Sequence, residues 1–582
     1  MEKRKRISKK DITLIFRALL YIKNYKMKFA ILLLSIFTVI LLGIFQPLVS
    51  GKIIEDLSLK NYDNINNGLV FLLIIYVANS FINFIKGYME SEISNGIIKD
   101  LRLEMYDKIL NLSMDVFNRV KIGEFISRLQ GDIYTVANII TSQLVNIIIN
   151  VVNVLVLGIV IFRINWILAL IVVISFPLTY ISFLLFGSKL RKENKKLIKI
   201  NDNYFTVMQQ SLYGIKHIKT LGLKKENYNI FNKVSTSLRN KQVFIALITL
   251  ISTNITMLIT CVNNIIILGV GAFFVKMGSL SIQFYLAFGS YSNQFSQAII
   301  SLTKVNSDIQ QMLASLERIF DLLDNKNLSQ EVFGSKELDN IKGQITLENV
   351  YFAYEENKDI LQNVSLTIKP NKLTVIVGEN GCGKSTIFNI LSGLYKVREG
   401  NIFIDGIEIN DISEKSLRKS IYLVHQQSFM FNLSIIDNFK MVKPEASIDA
   451  IMDACKLVDM HDYIMNLHSK YETIIEENTC NLSGGQKQRL SLAICLLKDT
   501  PIILLDEVTS ALDIQSRDMI EKIIKNISRN KTVIAISHDI STIKNADEVI
   551  LFNENNNVNI ISNDSDEKRN DDYWKLLLYR AN

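Results

Sequence analysis

The sequence predicts an α-helical transmembrane domain of six spans, followed by an α/β domain of the phosphate-loop nucleotide hydrolase class (P-loop NTPase). Of the 582 residues, 49% are hydrophobic and the mean hydropathy is +0.22, which is too apolar for an average soluble protein. The apolar residues are concentrated before about residue 302, and a glycine-rich run lies at 378–386. We expect a transmembrane domain at 1–325, a polar linker at 326–343 and the second domain at 344–582.

Six stretches of the first half have the length and apolarity of a membrane-spanning helix. A hydrocarbon core of about 30 Å needs roughly 20 helical residues. The fifth stretch is too short for two crossings and is counted as one long or tilted helix. The predicted spans are residues 29–49, 69–85, 144–162, 166–186, 244–275 and 284–302.

The basic residues of the first half predict its orientation. An even number of spans places both termini on one side of the membrane. Lys and Arg are frequent before the first span and in segments 86–121 and 189–241, whereas the opposite loops carry few. The positive-inside rule therefore predicts a multi-pass protein of the cytoplasmic membrane, with both termini and the second domain in the cytoplasm. Because the net charge of +8 is concentrated beside apolar segments, we expect a lipid bilayer and no nucleic acid as partner.

The two inward segments are too long to be simple loops. Residues 86–112 and 189–239 keep helical periodicity with mixed charges, which predicts that the helices continue beyond the bilayer into water. We expect the chain to turn at 117–123 and at 213–218, and to contact the second domain there. The alternative is a solvated connector.

Amide side chains interrupt the predicted spans. An amide that faces lipid is costly, so each should face another helix or a cavity. Hydrogen bonding between helices is the more common role, but a subset could line a substrate path. Almost no charge lies in the spans, which argues against a path for small ions and favours an apolar or amphipathic substrate. These residues are Asn150, Asn153, Asn254, Asn263, Asn264, Asn293, Gln294 and Gln297.

A glycine-rich run in the second half predicts a phosphate-binding loop. It follows an apolar strand pattern at 373–377 and precedes a helical pattern at 387–394. Glycines let successive backbone N–H groups point at phosphate oxygens, and the helix that begins near Gly383 adds the positive end of its dipole. Lys384 would neutralise the β- and γ-phosphates and Ser385 would bind Mg²⁺, a pairing that an ordinary glycine-rich turn does not explain. The loop consists of Gly378, Glu379, Asn380, Gly381, Cys382, Gly383, Lys384, Ser385 and Thr386.

Two acidic residues end the most apolar strand pattern of the second half. Asp506 and Glu507 follow the buried-strand run 502–505. Asp506 would hold Mg²⁺ through water, and Glu507 would act as the general base on the water that attacks the γ-phosphate. Acidic strand ends are common, but beside a phosphate loop they predict a nucleotide hydrolase.

Residues 482–486, Leu-Ser-Gly-Gly-Gln, resemble the signature of ATP-binding cassette (ABC) proteins. The order of motifs is similar to that family over nearly the whole chain, as is the arrangement of an exporter-type half-transporter with six spans ahead of one ATPase domain. The resemblance implies that Ser483, Gly484, Gly485 and Gln486 cap the γ-phosphate of an ATP molecule held by a second subunit. It therefore implies a homodimer, or a heterodimer with a second half-transporter.

Other positions take their expected roles from this resemblance. Tyr354 resembles the aromatic residue that stacks on adenine, although a simple strand aromatic is the alternative. Gln426 resembles the glutamine that contacts Mg²⁺ and the attacking water, with Gln427 as the adjacent alternative. His538 resembles the histidine that contacts the γ-phosphate, and residues 510–513 resemble the loop that crosses the dimer interface. Two departures from the family are the absence of glycines at 476–479 and of a glycine-rich ending at 553–582.

The expected function is ATP-driven export of a hydrophobic or amphipathic peptide, lipid or drug, with ATP and Mg²⁺ bound. A regulatory membrane ATPase that gates or signals to a partner is the alternative, and a soluble nucleotide-dependent enzyme is a third interpretation. The sequence leaves the substrate, and the choice between homodimer and heterodimer, open.

Overall fold

The computed structural model divides the chain into two compact units. The first contains Met1–Lys108 and Gly123–Asn325, and the second contains Ile109–Ile122 and Lys326–Asn582. The predicted domain boundaries remain predictions, but the segment 109–122 has its contacts in the second unit. The residues that the structure describes are 9–120, 122–325, 328–355, 359–379, 381–475, 482–509, 514–552 and 558–562.

Residues 9–324 are almost entirely helical. A 3₁₀ turn, Tyr21–Tyr25, follows the first helix, and two π-helical segments, Arg128–Asp132 and Ile139–Gln143, interrupt one long helix. The α-helices are α1 (Lys9–Leu20), α2 (Lys26–Ser58), α3 (Tyr62–Leu110), α4 (Met114–Arg119), α5 (Ile122–Ser127), α6 (Ile133–Asn138), α7 (Leu144–Ile164), α8 (Trp166–Tyr213), α9 (Ile215–Thr220), α10 (Lys224–Lys276) and α11 (Ile282–Asp324).

Five helices within the described part of the chain are long and apolar enough to cross a membrane, and they contain the first five predicted spans. Because α3, α8 and α10 have 49, 48 and 53 residues, each is far longer than the roughly 20 residues of a crossing, as the periodicity of the inward segments predicts. The candidate spans are Asp11–Ser58, Tyr62–Leu110, Ile122–Ile164, Trp166–Tyr213 and Lys224–Lys276.

The sixth predicted span lies in α11, which continues to Asp324. This helix is not among the five candidate spans, since amides and hydroxyls interrupt its apolar residues. One face of it packs into a buried cluster with α7 and α8 that includes Phe288, Tyr291 and Phe295. The sixth crossing therefore remains a prediction.

The predicted turns between the long helices are largely confirmed. Helix α8 ends at Tyr213 and α9 begins at Ile215, within the predicted turn. The first turn is wider than predicted, because α3 already ends at Leu110 and α5 begins at Ile122. Between them lies α4, in the second unit.

The segment that carries α4 is bound to the beginning of the linker. The backbone N–H of Ser113 donates to the Ser329 carbonyl oxygen at 2.9 Å, and the Glu331 N–H donates to the Asn111 carbonyl oxygen at 3.1 Å. Leu112 forms an isolated antiparallel bridge with Gln330. These backbone contacts explain why 109–122 groups with the second unit.

Two sheets form the second unit. An antiparallel sheet has the order β2-β1-β4-β5, and a six-stranded sheet has the order β10-β9-β3-β8-β7-β6. In the larger sheet all neighbouring pairs are parallel except β9 with β10. The strands are β1 (Ile345–Ala353), β2 (Asp359–Ile368), β3 (Leu373–Gly378), β4 (Glu399–Ile404), β5 (Ile407–Glu408), β6 (Ile421–Val424), β7 (Ile502–Asp506), β8 (Thr532–Ile536), β9 (Glu548–Phe552) and β10 (Val558–Ser562).

Two buried apolar clusters lie on the two faces of the larger sheet, so that alternate residues of its strands belong to different clusters. Val375 belongs to one and Ile376 to the other, as the period of a strand requires. The helices of this unit, besides α4, are α12 (Lys384–Leu391), α13 (Glu414–Ser420), α14 (Ile435–Val442), α15 (Ile448–Leu457), α16 (His461–Met465), α17 (Gly484–Lys498), α18 (Ile514–Ile527) and α19 (Ile540–Asn545).

The apolar residues at 401–409 predict one strand, and this prediction is wrong. The structure has two strands there, β4 and β5, which pair antiparallel. Asp405 and Gly406 between them have φ angles of 48° and 81°, and two consecutive residues with positive φ form the tight turn of a hairpin. The dipeptide Asp405-Gly406 is the sequence signal of this turn, and it separates the apolar residues at 402–404 from those at 407 and 409.

The Asp405 side chain also fixes the start of β1. Its carboxylate accepts hydrogen bonds from the backbone N–H groups of Lys342 at 2.8 Å, Gly343 at 3.0 Å and Gln344 at 2.9 Å. One side chain therefore fixes the entry of the chain into the second unit.

We expect Asp405→Ala to lower the free energy of unfolding of the second unit by about 2 kcal/mol, because it removes charge-assisted hydrogen bonds to three backbone donors. Thermal unfolding of the full chain in detergent measures the change. Glu348→Ala is the control, since Glu348 is exposed on β1. Equal unfolding temperatures for the two variants would contradict this role of Asp405.

Candidate active site

The carboxyl ends of four neighbouring parallel strands meet at one edge of the larger sheet. The phosphate loop follows β3, His538 follows β8, Asp506 and Glu507 end β7, and Gln426 follows β6. In open α/β sheets, ligands bind at this edge. Residues far apart in the sequence therefore lie around one site.

The phosphate loop has the backbone that its glycines predict. Gly383 is the N-cap of α12 with a φ of 99°, and a Cβ atom there would lie 2.7 Å from Cδ2 of Leu361. A Cβ atom at Gly378 would lie 2.5 Å from the Phe552 carbonyl oxygen. Both positions thus exclude any side chain, and α12 begins at Lys384 as predicted.

The lysine of the loop is buried and is held by the loop itself. Its Nζ donates to the carbonyl oxygens of Gly378 at 2.7 Å and Glu379 at 2.6 Å. The neighbouring Ser385 hydroxyl donates to Oδ1 of Asp506 at 3.4 Å. The structure therefore brings together the loop and the first strand-end acid.

Glu507 lies next to two other predicted catalytic residues, Gln426 and His538. It has a φ of 48°, a conformation that strains a non-glycine residue and often marks a functional site. Its backbone N–H donates to the Ile536 carbonyl oxygen at 3.1 Å. Its Oε2 accepts from Nε2 of Gln426 at 2.6 Å, and its Oε1 lies 3.9 Å from Nε2 of His538.

The electrostatic environment shifts two groups of the site in opposite directions. Burial raises the pKa of Asp506 above its ordinary 3.8, the hydrogen bond from Ser385 lowers it, and the charge of Glu507 raises it again. Burial lowers the pKa of His538 below its ordinary 6.5, as does the nearby Lys384 cation, and Glu507 opposes both. The lowered pKa of His538 favours its neutral imidazole, which can donate one hydrogen bond and accept another.

Gln488 is a residue of the site that the sequence motifs did not single out. It is only 3% exposed, and its Nε2 donates to the Gln426 backbone oxygen at 3.0 Å. It lies on α17, so this bond ties the signature helix to the glutamine that contacts Glu507. A glutamine on the buried face of an apolar helix is the sequence signal that could have identified it.

Tyr354 lies beside the phosphate-loop helix α12. Its hydroxyl donates to Oγ1 of Thr386 at 3.3 Å and accepts from Nδ2 of Asn389 at 3.2 Å. Its ring meets the ring of Tyr395 edge-on at 5.0 Å, and the Tyr395 hydroxyl accepts from Nδ2 of Asn118 on α4 at 2.9 Å. An aromatic pair thus connects the predicted adenine contact to α4, a connection that the motifs did not predict.

Among the described residues, no hydrogen bond joins the signature residues to the phosphate loop of their own chain. Ser483 is the N-cap of α17, and it forms a capping box with Gln486: the Gln486 N–H donates to Oγ of Ser483, and the Ser483 N–H donates to Oε1 of Gln486. Ser483 and Gly484 are exposed, while Gly485 is half-buried. Within the described residues, the hydrogen bonds of the Ser483 and Gln486 side chains stay inside this cap.

Four sequence-based predictions lie wholly or mostly outside the described residues. They concern Asn380 of the phosphate loop, residues 510–513, the departure from the family at 476–479 and the ending at 553–582, of which only 558–562 is described.

A glycine-bent phosphate loop beside two strand-end acids defines a nucleotide hydrolase, here joined in one chain to helices of membrane-spanning length. The comparisons with known proteins agree with this class. Residues 29–299 match the family described as ABC transporter transmembrane region, and residues 361–510 match the family described as ABC transporter.

Curated relatives cover most of the chain. A protein from Photorhabdus laumondii named "ATP-dependent lipid A-core flippase" is 30% identical over 447 residues, which is 76% of this chain and 77% of the relative. The Bacillus subtilis protein named "Putative multidrug export ATP-binding/permease protein YgaD" is 28% identical over 454 residues, 78% of each chain. The chain belongs to the ABC transporter family. It is a multi-pass membrane protein, an exporter half-transporter that binds nucleotide and hydrolyses ATP.

We expect Gln488→Leu to lower kcat for ATP hydrolysis about tenfold with little change in ATP affinity, because it removes one buried hydrogen bond that positions Gln426. Steady-state ATPase assays and nucleotide binding measure the two quantities. Gln427→Leu is the control, since Gln427 is exposed and adjacent to the bonded residue. A Gln488→Leu enzyme with normal kcat would rule out the positioning role.

Proposed function

We propose that this chain exports a hydrophobic or amphipathic peptide, lipid or drug across the cytoplasmic membrane, as one half of a homodimer or heterodimer. The observation that carries the proposal is the gathering of Lys384, Asp506 and Glu507 at one sheet edge, in a chain with five membrane-length helices among its described residues. The names of the relatives, which refer to multidrug export and to a lipid A-core flippase, support an apolar or amphipathic substrate.

In this proposal Glu507 is the general base. A carboxylate that accepts from the Gln426 amide at 2.6 Å is held in one orientation, as a base must be to take a proton from an attacking water. Gln426 orients that carboxylate and contacts the water. His538 donates a hydrogen bond to the γ-phosphate.

The phosphate loop binds ATP through its backbone N–H groups. Its residues Gly378, Glu379, Asn380, Gly381, Cys382, Gly383, Lys384, Ser385 and Thr386 surround the phosphates, and Tyr354 stacks on the adenine. To reach the phosphates, the Lys384 ammonium exchanges the carbonyl oxygens of Gly378 and Glu379 for phosphate oxygens, which are stronger partners for a cation.

The oxygen groups of the site fit Mg²⁺. A hydroxyl from Ser385, a carboxylate from Asp506 and an amide from Gln426 are the hard oxygen ligands that this ion takes in nucleotide sites, and the first two lie 3.4 Å apart. Bound there, the ion would neutralise charge on the β- and γ-phosphates.

The second subunit completes each site through its signature. The N-terminus of α17, with Ser483, Gly484, Gly485 and Gln486, offers an anion the positive end of the helix dipole and the N–H groups of Gly484 and Gly485, which the capping box does not use. Two ATP molecules between two copies of the second unit would close them. The turns at 117–123 and 213–218 would then transmit closure to the membrane helices, with both termini in the cytoplasm.

We expect Glu507→Gln to abolish ATP turnover while ATP binding is retained, because the amide cannot accept the proton. A Ser483→Arg chain should also be inactive, since the large cation blocks the signature. If the chain forms homodimers, the two inactive chains should pair at random when they are mixed, so that half of the dimers contain one of each. Each mixed dimer has one intact composite site out of two, and the mixture should therefore recover roughly a quarter of the wild-type ATPase activity. No recovery on mixing, with mixed dimers confirmed by affinity tags, would contradict the two-chain site.

Transport is tested in reconstituted vesicles with the second unit facing outward. We expect ATP-dependent accumulation of a peptide, lipid or hydrophobic drug inside the vesicles, and none with Glu507→Gln. ATPase activity that no compound stimulates and that moves none of them would favour the regulatory membrane ATPase instead.

A further inference from the structure

We propose that the outward face of α11, together with an adjoining stripe of α10, binds an uncharged, hydrogen-bonding stretch of a peptide. This inference rests on the export function proposed above and names the substrate class. We call this surface the amide face. It consists of Ser290, Asn293, Gln294, Gln297 and Ser301 on α11, and of Thr249, Thr253, Thr256, Thr260 and Asn264 on α10.

On a helix that faces lipid the exposed side chains are apolar, whereas over residues 285–301 of α11 the exposed side chains are polar. Within residues 285–301, every exposed residue is one of the five polar residues of the amide face. The opposite side is buried and carries the large apolar groups, with Phe288 and Tyr291 at 0% exposure and Phe295 at 6%. Helical spacing of three or four residues places the five polar residues in one stripe.

Such a stripe cannot stably face hydrocarbon. Amides without hydrogen-bond partners are costly in lipid, and among the described residues neither Gln294 nor Gln297 has a hydrogen-bond partner. The stripe therefore meets water, a polar ligand or another protein surface.

The stripe of α10 extends the amide face. The two helices are joined where Nδ2 of Asn264 donates to Oδ1 of Asn293 at 3.2 Å. The threonine hydroxyls donate to carbonyl oxygens of their own helix, as Thr253 does to Thr249 and Thr260 does to Thr256, so their lone pairs remain available as acceptors.

The other side of α10 shows what its lipid-facing surface looks like. Leu258, Val262 and Ile265 lie there, 65%, 56% and 67% exposed, about half a turn of the helix away from the threonines. Of the other predicted amides on this helix, Asn263 is buried and Asn254 donates to the Leu250 carbonyl oxygen. The amide face is thus one of two chemically different sides.

The chemistry of the amide face favours a neutral peptide. No charged residue lies within 242–275 or 285–301, so the face offers no partner to a charged ligand. Its amides both donate and accept, as a peptide backbone does. Groups four residues apart on a helix repeat about every 6 Å, close to the roughly 6.8 Å repeat of like-facing groups in an extended chain. The α11 stripe, roughly 16 Å long, would span about five extended residues.

The first measurement asks whether water reaches the face. Gln297→Cys and Val262→Cys chains in lipid nanodiscs are treated with a charged thiol reagent, and labelling at each position is read by mass spectrometry. Because a thiol reacts as the thiolate, which needs water, we expect Gln297→Cys to react at least about tenfold faster. Equal, slow labelling would mean that lipid or a second copy of the chain covers the face, and would overturn the proposal.

The second measurement identifies the occupant. The probe is a capped peptide of Ser, Gln and Leu residues, compared with the same peptide carrying Glu in place of Gln and with a neutral glycolipid. We expect the uncharged peptide alone to slow labelling of Gln297→Cys about tenfold, a change that a few hydrogen bonds supply. Protection by the glycolipid but not the peptide would overturn the peptide class, and protection by none would overturn the binding face. In both of these outcomes, ATP-dependent transport by the unsubstituted chain would still support the proposed export function.

Discussion

The parallel pairing of β3, β8, β7 and β6 is the constraint on which the active site depends. In this register Ile376 of β3 and Asp506 of β7 both lie opposite Ile536 of β8. The carboxyl ends of β3 and β7 are therefore aligned, and the phosphate loop and the two strand-end acids lie at the same edge of the sheet. A shift of one residue would turn each side chain to the other face of the sheet. The alternation of buried apolar residues between two clusters resists that shift.

Two contacts connect this site to other elements of the second unit. At one end, Gln488 on α17 holds the backbone of Gln426. At the other, Tyr354 packs edge-on against Tyr395, whose hydroxyl accepts from Asn118 on α4. The site is therefore in direct contact with the signature helix and with the segment that lies between α3 and α5.

The phosphate loop and the two strand-end acids could be predicted from the residues alone because their chemistry is local, whereas Gln426, His538 and Tyr354 were expected only from the family resemblance. A phosphate loop needs its glycines, lysine and serine in one short run, and the order of strand and helix around it follows from periodicity. Helical periodicity could have marked Gln488 as buried, but the partners of Gln488 and Tyr395 could not be predicted, since each contact joins elements distant in sequence. The hairpin at Asp405 was missed although the sequence carries its signal, the dipeptide Asp405-Gly406.

In the transmembrane domain, the sequence allowed the polar residues to be found but not their surroundings to be predicted. Sequence identified the amides of the predicted spans, but not which side of a helix each one occupies, because that depends on which neighbours cover the opposite side. The structure separates them: Asn263 is buried, Asn264 pairs with Asn293, and Gln297 is exposed. Exposure, rather than composition, thus distinguishes a contact between helices from a surface open to a ligand.

The polarity of α11 also has a consequence for biogenesis. A segment with several amides partitions weakly from the translocon into lipid on its own, so it would leave the channel more readily together with a more apolar neighbour. Helix α10 precedes it in synthesis, and only residues 277–281 separate the two. We therefore expect the pair to enter the bilayer as a helical hairpin, with the Asn264–Asn293 bond formed during insertion.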